Sequence, residues 1–464
     1  MDSIREILFE SIQQGIIMAQ QILMGNEFSV SFTDREVTAW GGLALLKRML
    51  DSMGFRQALS SWGLPAPGSN RGYDPVQLIE QFIVSIWCGA CRFAHAETVR
   101  MDATLTRLFG WPQAAGHKAI LRLFGRFDMI MNERVQAEAY RWFFDQITAL
   151  KQVTLDVDST VITRHGNQDG AARGYNPNRR GRPSHHPLLA FVAEARMVAN
   201  FWLRPGNTHS ANNILQFLQS TCHHLGDKTV GLLRADSGFF DEAVFSLLEG
   251  RYISYIIAAR LTQSLQRELY QAGGWWALEP GLELTELRYA AHGWSVPRRL
   301  IVVRQSIKRR EAPGKQLSLF ADDPDIQGWR YGAFVTSLDL PMAEVWRLYR
   351  GRADCENRIK ELKADFGLDA FNLQDFWATE AALGFAMLAY NLMSLFRQAV
   401  MRSRVQHTLS TLHGLVLTIG GSWHKHAGQN RLVLSVPRRK RAWFSGLWAH
   451  ATAPPVIPGL NSKG

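Results

Sequence analysis

Residues 349–363 read YRGRADCENRIKELK, a run in which one carboxylate, Glu356, stands among bases at helical spacing. With Tyr349 at zero and about 100° per residue, Arg352 falls at about 300°, Glu356 at about 340° and Lys363 at about 320°. The four side chains share an arc of about 60°. Asp354, Glu361 and Asp365 fall on the opposite side, where a solvated face is expected. Glu356 is therefore the odd acid on a basic face. The plainer reading is a surface helix laced with ion pairs at four-residue spacing, with Gly351 breaking the register before Arg352.

The chain has 464 residues and 46% hydrophobic content, so it is globular and long enough for two or three domains. Lys and Arg number 52 against 41 Asp and Glu, a net charge of +11 that suits a polyanionic partner, with nucleic acid the leading candidate. Four cysteines, Cys88, Cys91, Cys222 and Cys355, are too few for a disulfide framework. Asp2 and Glu10 interrupt the first apolar run, so no signal peptide is expected and a reduced cytoplasm is the natural home. Trp377 to Phe396 is the longest apolar stretch, but Glu380 and Asn391 mark it as a buried helix, and no membrane segment is expected.

Residues 1–150 read as a helical N-terminal region suited to DNA binding, with helices over Ser3–Gly25, Gly42–Met53 and Pro75–Trp87. Cys88, Cys91 and His95 lack a second pair at zinc-ligand spacing and read as buried thiols. At Val153 the pattern changes to strands. In VTLDVDSTVI the alternation puts Asp156 and Asp158 on one face, where both can look into one site; the plainer reading of either is a strand-end cap. Residues 165–186, rich in Gly, Asn and Pro, read as a long loop whose Arg179, Arg180 and Arg182 suit phosphate contacts. Strands follow over Pro187–Ala195 and Met197–Leu203, then a helix capped by Ser210. Thr229–Ala235 is a short apolar strand ending at Asp236. A helix over Asp241–Leu248 and a strand over Ile253–Ala259 complete the first part of an α/β core, 151–260. Residues 261–340 read as a separate β-rich block interrupted by the polar segment Ser306–Gln327. Its Trp275, Trp276, Trp294 and Trp329 suit either a small core or stacking on an unpaired base. The core resumes over 341–400, and 401–464 reads as a helical, basic C-terminal region carrying Arg438-Arg439-Lys440-Arg441.

The spacing Y-x2-R-x3-E-x6-K of Tyr349, Arg352, Glu356 and Lys363, with Asp158-Ser-Thr160 and Asp236 upstream, resembles the motifs of bacterial insertion-sequence transposases of the DDE type. The resemblance implies an RNase H-like catalytic core with a β-rich insertion before the last catalytic helix, and Asp158, Asp236 and Glu356 as catalytic and metal-holding residues. Asp156 is the substitute for Asp158. It implies two Mg²⁺ ions per site, with Mn²⁺ able to substitute, because hard ions prefer carboxylate oxygens and a pair of them serves both attacking and leaving oxygens. Tyr349, Arg352 and Lys363 are then DNA contacts. The partners implied are double-stranded DNA at terminal inverted repeats, target DNA, and a second copy of the chain when both ends are held. The rival expectations are an endonuclease that cleaves without joining, a domesticated DNA-binding protein without catalysis, and a carbohydrate hydrolase with paired carboxylates, which the basic balance disfavours.

Overall fold

Val153, Leu155 and Val157 alternate with the flanking polar residues, and Gln152–Ser159 is accordingly a strand (β1). In the computed structural model of the chain it lies inside a nine-stranded sheet. The structure describes residues 21–24, 28–67, 69, 72–177, 179–209, 212–307, 328–403, 405–452 and 455–457. The other strands of this sheet are β2 (Leu188–Val192), β3 (Met197–Trp202), β4 (Thr229–Ala235), β5 (Ser254–Ala258), β6 (Trp276–Glu279), β7 (Leu282–Tyr289), β8 (Arg298–Ser306) and β9 (Trp329–Thr336). Their order is β6-β7-β8-β9-β5-β4-β1-β2-β3. Strands β1, β4 and β5 are parallel; β2 and β9 run antiparallel to their inner neighbours. Helices Ile214–His224 (α4, between β3 and β4) and Glu242–Gly250 (α5, between β4 and β5) supply the crossovers that parallel pairing needs.

Among the described residues of 261–340, the strands do not form a separate sheet. Strand β9 pairs with β5, so β6 to β9 extend the central sheet as one continuous edge. Most of the polar segment expected over Ser306–Gln327 lies outside the described residues. Three of its four flanking tryptophans are held by packing: Arg304 sits over Trp275 at 3.9 Å and Trp329 at 4.5 Å, while Trp294 packs on Phe240, Phe245 and Tyr289. Trp276 is 49% exposed.

The helices expected at 42–53 and 75–87 are Leu43–Ser52 (α1) and Pro75–Trp87 (α2), the latter capped by the Asp74 carboxylate. Met129–Asp145 (α3) follows. The helix expected over Ser3–Gly25 falls largely outside the described residues, and its end is instead a strand, Gln21–Met24, paired with Phe28–Ser31. Ser210 also lies outside them; the helix that it is expected to cap starts after Asn213. The loop expected over 165–186 is not all loop. Pro183–His185 pairs on one side with Ile162–Thr163 and on the other with Ala172–Arg173 in a small three-stranded sheet. Gly206 is needed against it, because a Cβ there would stand 2.0 Å from the carbonyl oxygen of Ser184. The C-terminal region is not simply helical: Gly421–His426 and Gln429–Leu434 form an antiparallel hairpin.

After Met342–Arg350 (α6) and Ala353–Asp365 (α7), the long apolar stretch forms Phe376–Leu395 (α8), continued by a π turn over Phe396–Val400. This is the one described helix long and apolar enough to cross a membrane, and 94% of it is buried inside the protein. Its polar residues recur on one stripe and satisfy the outer edge of β3, which would otherwise be an unpaired strand edge. Asn391 donates to the carbonyl of Val198 at 2.8 Å and accepts from its N–H at 2.7 Å. Glu380 accepts from the N–H of Leu203 at 2.9 Å, and Ser394 donates to the carbonyl of Arg196 at 3.0 Å. Helix α2 closes the other side of α8, with the Trp87 indole donating to the carbonyl of Ala389.

Two outcomes follow from this edge. Asn391→Leu strands a buried N–H and C=O of β3 and is expected to lower stability by on the order of 3 kcal/mol, read as a fall in melting temperature. Burial pushes the Glu380 carboxyl up to about 7. The folded state then binds a proton that the unfolded state has released, so the contribution of Glu380 to stability is fully present below the unfolded value near 4.5 and is lost as pH rises to about 7. In Glu380→Gln that decline relative to the parent is expected to disappear; melting temperatures measured from pH 4.5 to 8 check it.

Candidate active site

The parallel register of β1 and β4 sets Arg234 beside Asp156 and Ala235 beside Val157, so Asp236, the next residue, leaves the sheet alongside Asp158. This end of the parallel strands is where α/β sheets carry their functional side chains. Asp236 accepts from the N–H of Gly238 at 2.9 Å and opens the 3-10 turn Ser237–Phe239. Asp158 is only 8% exposed. It accepts from the Ser159 N–H at 2.8 Å and pairs with Arg352 at 3.0 Å, with the Cys355 thiol 3.9 Å away.

The stretch 349–363 is not one helix. Met342–Arg350 (α6) ends at Gly351, and Ala353–Asp365 (α7) begins after Arg352, so Tyr349 belongs to one helix while Glu356 and Lys363 belong to the next. The single-face reading fails for that reason. The residues nevertheless converge on Asp158. Arg352 sits at the corner, Lys363 donates to the carbonyl of Val161 at 3.1 Å, and both Asp236 and Glu356 act electrostatically on Asp158. Glu361, expected on a solvated face, is buried: it pairs with Arg397 and accepts from the Leu409 N–H at 3.1 Å. Asp354 is exposed as expected, and Asp365 accepts from the Ser410 N–H.

Asp156 plays a different part from Asp158. It is fully buried, and Arg234 binds both its oxygens, at 2.6 and 2.9 Å. The same guanidinium donates to the carbonyl of Leu348 at 2.5 Å, tying β1 to the end of α6. This explains Gly351, whose backbone is ordinary: a Cβ there would stand 2.6 Å from the Arg234 guanidinium. Sequence reasoning misses Arg234 and Cys355, although an arginine two residues before Asp236 in an apolar strand is the available signal.

Burial is the main cause that pushes the Asp158 carboxyl up to about 6; Arg352 pulls it down, and Asp236 and Glu356 push it up again. Tyr349 is 9% exposed and packs on Phe334, its hydroxyl pushed up to about 12 by burial. Arg352 is 7% exposed. As arranged, these two face the carboxylates and the core, whereas the loop arginines Arg179, Arg180 and Arg182 are exposed. His185, buried beneath that loop, accepts from Arg164 and is held down near pH 4 by burial.

Asp158, Asp236 and Glu356 are the donor type that a hard divalent ion takes, and a carboxyl raised by burial, and further by its acidic neighbours, is one that a cation would stabilise. In the present side-chain positions no three His, Cys, Asp or Glu among the described residues are gathered closely enough to hold a metal ion. The guanidinium of Arg352 holds the cationic position beside Asp158. By donor chemistry, three carboxylates suit such an ion. Cys88, Cys91 and Cys222 are partly buried free thiols, and Cys91 lies 3.7 Å from His95.

The sequence matches the family model described as transposase DDE domain group 1 over residues 20–449. No curated protein matches the chain. Among solved structures, one described as a piggyBac transposase synaptic complex with hairpin DNA aligns with a TM-score of 0.41 at 12% identity, covering 83% of each chain.

Asp156→Ala is expected to leave Arg234 as an uncompensated buried charge and to cost about 3–5 kcal/mol. A lowered melting temperature is the readout. An unchanged melting temperature together with lost activity would make Asp156 the catalytic carboxylate in place of Asp158.

Proposed function

The chain belongs to the group 1 family of transposase DDE domains and is a DDE transposase, and from that premise we propose that it cuts and joins DNA at the terminal inverted repeats of an insertion sequence by a cut-and-paste route. The observation that carries this reading is the parallel register of β1 and β4, which brings Asp158 and Asp236 out side by side within electrostatic reach of Glu356. The strand order β3-β2-β1-β4-β5, with β2 alone antiparallel within it, supports an RNase H-like core.

DDE transposases use divalent metal ions, and Asp158, Asp236 and Glu356 would hold them here, with Mg²⁺ the proposed ion and Mn²⁺ a substitute. Bound ions supply a nucleophile at neutral pH and offset charge on the phosphodiester and its leaving oxygen. The chain's own residues set up that chemistry. Asp158 and Asp236 are fixed by strands, and Glu356 by a helix whose start is pinned through Arg352. Arg352 offsets the charge of Asp158 when no ion is present, and Lys363 adds a cation beside it. Arg179, Arg180 and Arg182 stand exposed where a phosphate backbone can reach them. Synapsis of two ends implies a homodimer on DNA.

The seat of Arg352 on Asp158 favours one second reading, a DNA-binding protein in which the site is closed and silent. Cleavage of plasmids carrying the candidate ends separates the two. With Mg²⁺, the parent is expected to cut and to join precut ends. Asp158→Ala, Asp236→Ala and Glu356→Ala are each expected to lose activity by more than the roughly 10- to 100-fold typical of residues that only support metal ligands, with DNA binding retained. End binding without any Mg²⁺-dependent cleavage would establish the silent reading, and cleavage without joining would reduce the activity to that of an endonuclease.

A further inference from the structure

The 84 residues after Glu380 hold ten Lys or Arg and no Asp or Glu, nearly the whole net charge of the protein. Within them the hairpin of Gly421–His426 and Gln429–Leu434 is built with two unlike faces. Its inner face is anchored: Trp423 donates to the carbonyl of Thr104, Arg107 lies over its ring at 4.8 Å, and Gly421 pairs with Thr38. The outer face carries Ser422, His424 and His426 on one strand and Gln429, Arg431 and Val433 on the other, with His424 opposite Arg431 and His426 opposite Gln429. His426, Gln429 and Arg431 are exposed, and Ser422 and His424 lean together at 3.0 Å. The connection is a two-residue turn, Ala427 and Gly428, both at positive φ, which keeps the ribbon narrow to its tip.

Immediately after the hairpin, Arg438, Arg439, Lys440 and Arg441 are exposed at the start of the helix Arg441–His450, beside the exposed rings of Trp443 and Trp448. The region is tied to the candidate active site through the short helix Leu409–Leu412, whose first N–H groups donate to Glu361 and Asp365 of α7.

We propose that this hairpin is a DNA-reading ribbon that enters the major groove of duplex DNA, with Arg431, Gln429 and His424 facing base edges and Arg438 to Arg441 holding the adjacent phosphates. The major groove admits a two-stranded ribbon, and Arg and Gln are the side chains that pair with guanine and adenine edges there. A face without a carboxylate meets no repulsion from the phosphates. This rests on the transposase reading of the chain and adds to it which part reads sequence.

The test selects from a random-sequence duplex library with the full chain and, in parallel, measures Mg²⁺-dependent nicking of supercoiled plasmid. The parent is expected to enrich a motif. His424→Ala/Arg431→Ala, both surface changes with an unaltered melting temperature, is expected to lose on the order of tenfold or more in preference for that motif while still nicking plasmid. Replacing Arg438 to Arg441 by Ala is expected to weaken all duplexes alike and to flatten the salt dependence by about one per cation removed. If the hairpin variant enriches the same motif as strongly, the ribbon assignment is overturned while the transposase reading stands. If the parent neither retains duplexes nor nicks plasmid, both are overturned together.

Discussion

Two buried arginines hold the end of β1 against the corner between α6 and α7, and everything that makes the site depends on that clamp. Arg234 reaches from β4 to Asp156 on β1 and to the carbonyl of Leu348 on α6. Arg352 reaches back from the corner to Asp158. Each carboxylate is buried, and each would be costly there without its guanidinium. The two pairs divide the acids of β1 between them: Arg234 engages both oxygens of Asp156, while Arg352 engages one oxygen of Asp158, which also senses Asp236 and Glu356. Alternation places these neighbours on one face, but only their partners tell them apart.

Much of this is legible in the sequence. The change from helical to alternating periodicity at Val153, the apolar strand ending at Asp236 and the helical spacing around Glu356 reflect local patterns, and local patterns survive folding. The rest depends on partners distant in sequence. Glu361 is buried because Arg397 and the Leu409 N–H arrive from later helices, which no helical wheel can register. Gly351 breaks the helix, and it is small because Arg234, more than a hundred residues earlier, fills the space a Cβ would need. The strands of 276–336 read as a separate block because their pairing with β5 is not written in their own alternation. The C-terminal hairpin is hidden behind the basic run that follows it.

The central sheet and α8 provide the frame on which this buried charge is mounted. Helix α8 is apolar nearly throughout, yet Glu380, Asn391 and Ser394 cap the free edge of β3 and turn that edge into an interior surface. On the opposite flank β6 to β9 continue the sheet beyond β5. The carboxylates thus stand at the end of a sheet closed by a helix on one side and lengthened on the other, with the cationic C-terminal region joined to α7. One helix, α7, thus joins the carboxylate cluster to the cationic region.

The most direct measurement is the anomalous diffraction of Mn²⁺ in crystals of the intact chain. A metal site built on these three carboxylates predicts a peak between Asp158 and Asp236, with Glu356 turned toward it and Arg352 displaced from Asp158. Manganese bound elsewhere, with Arg352 still paired to Asp158, would contradict it.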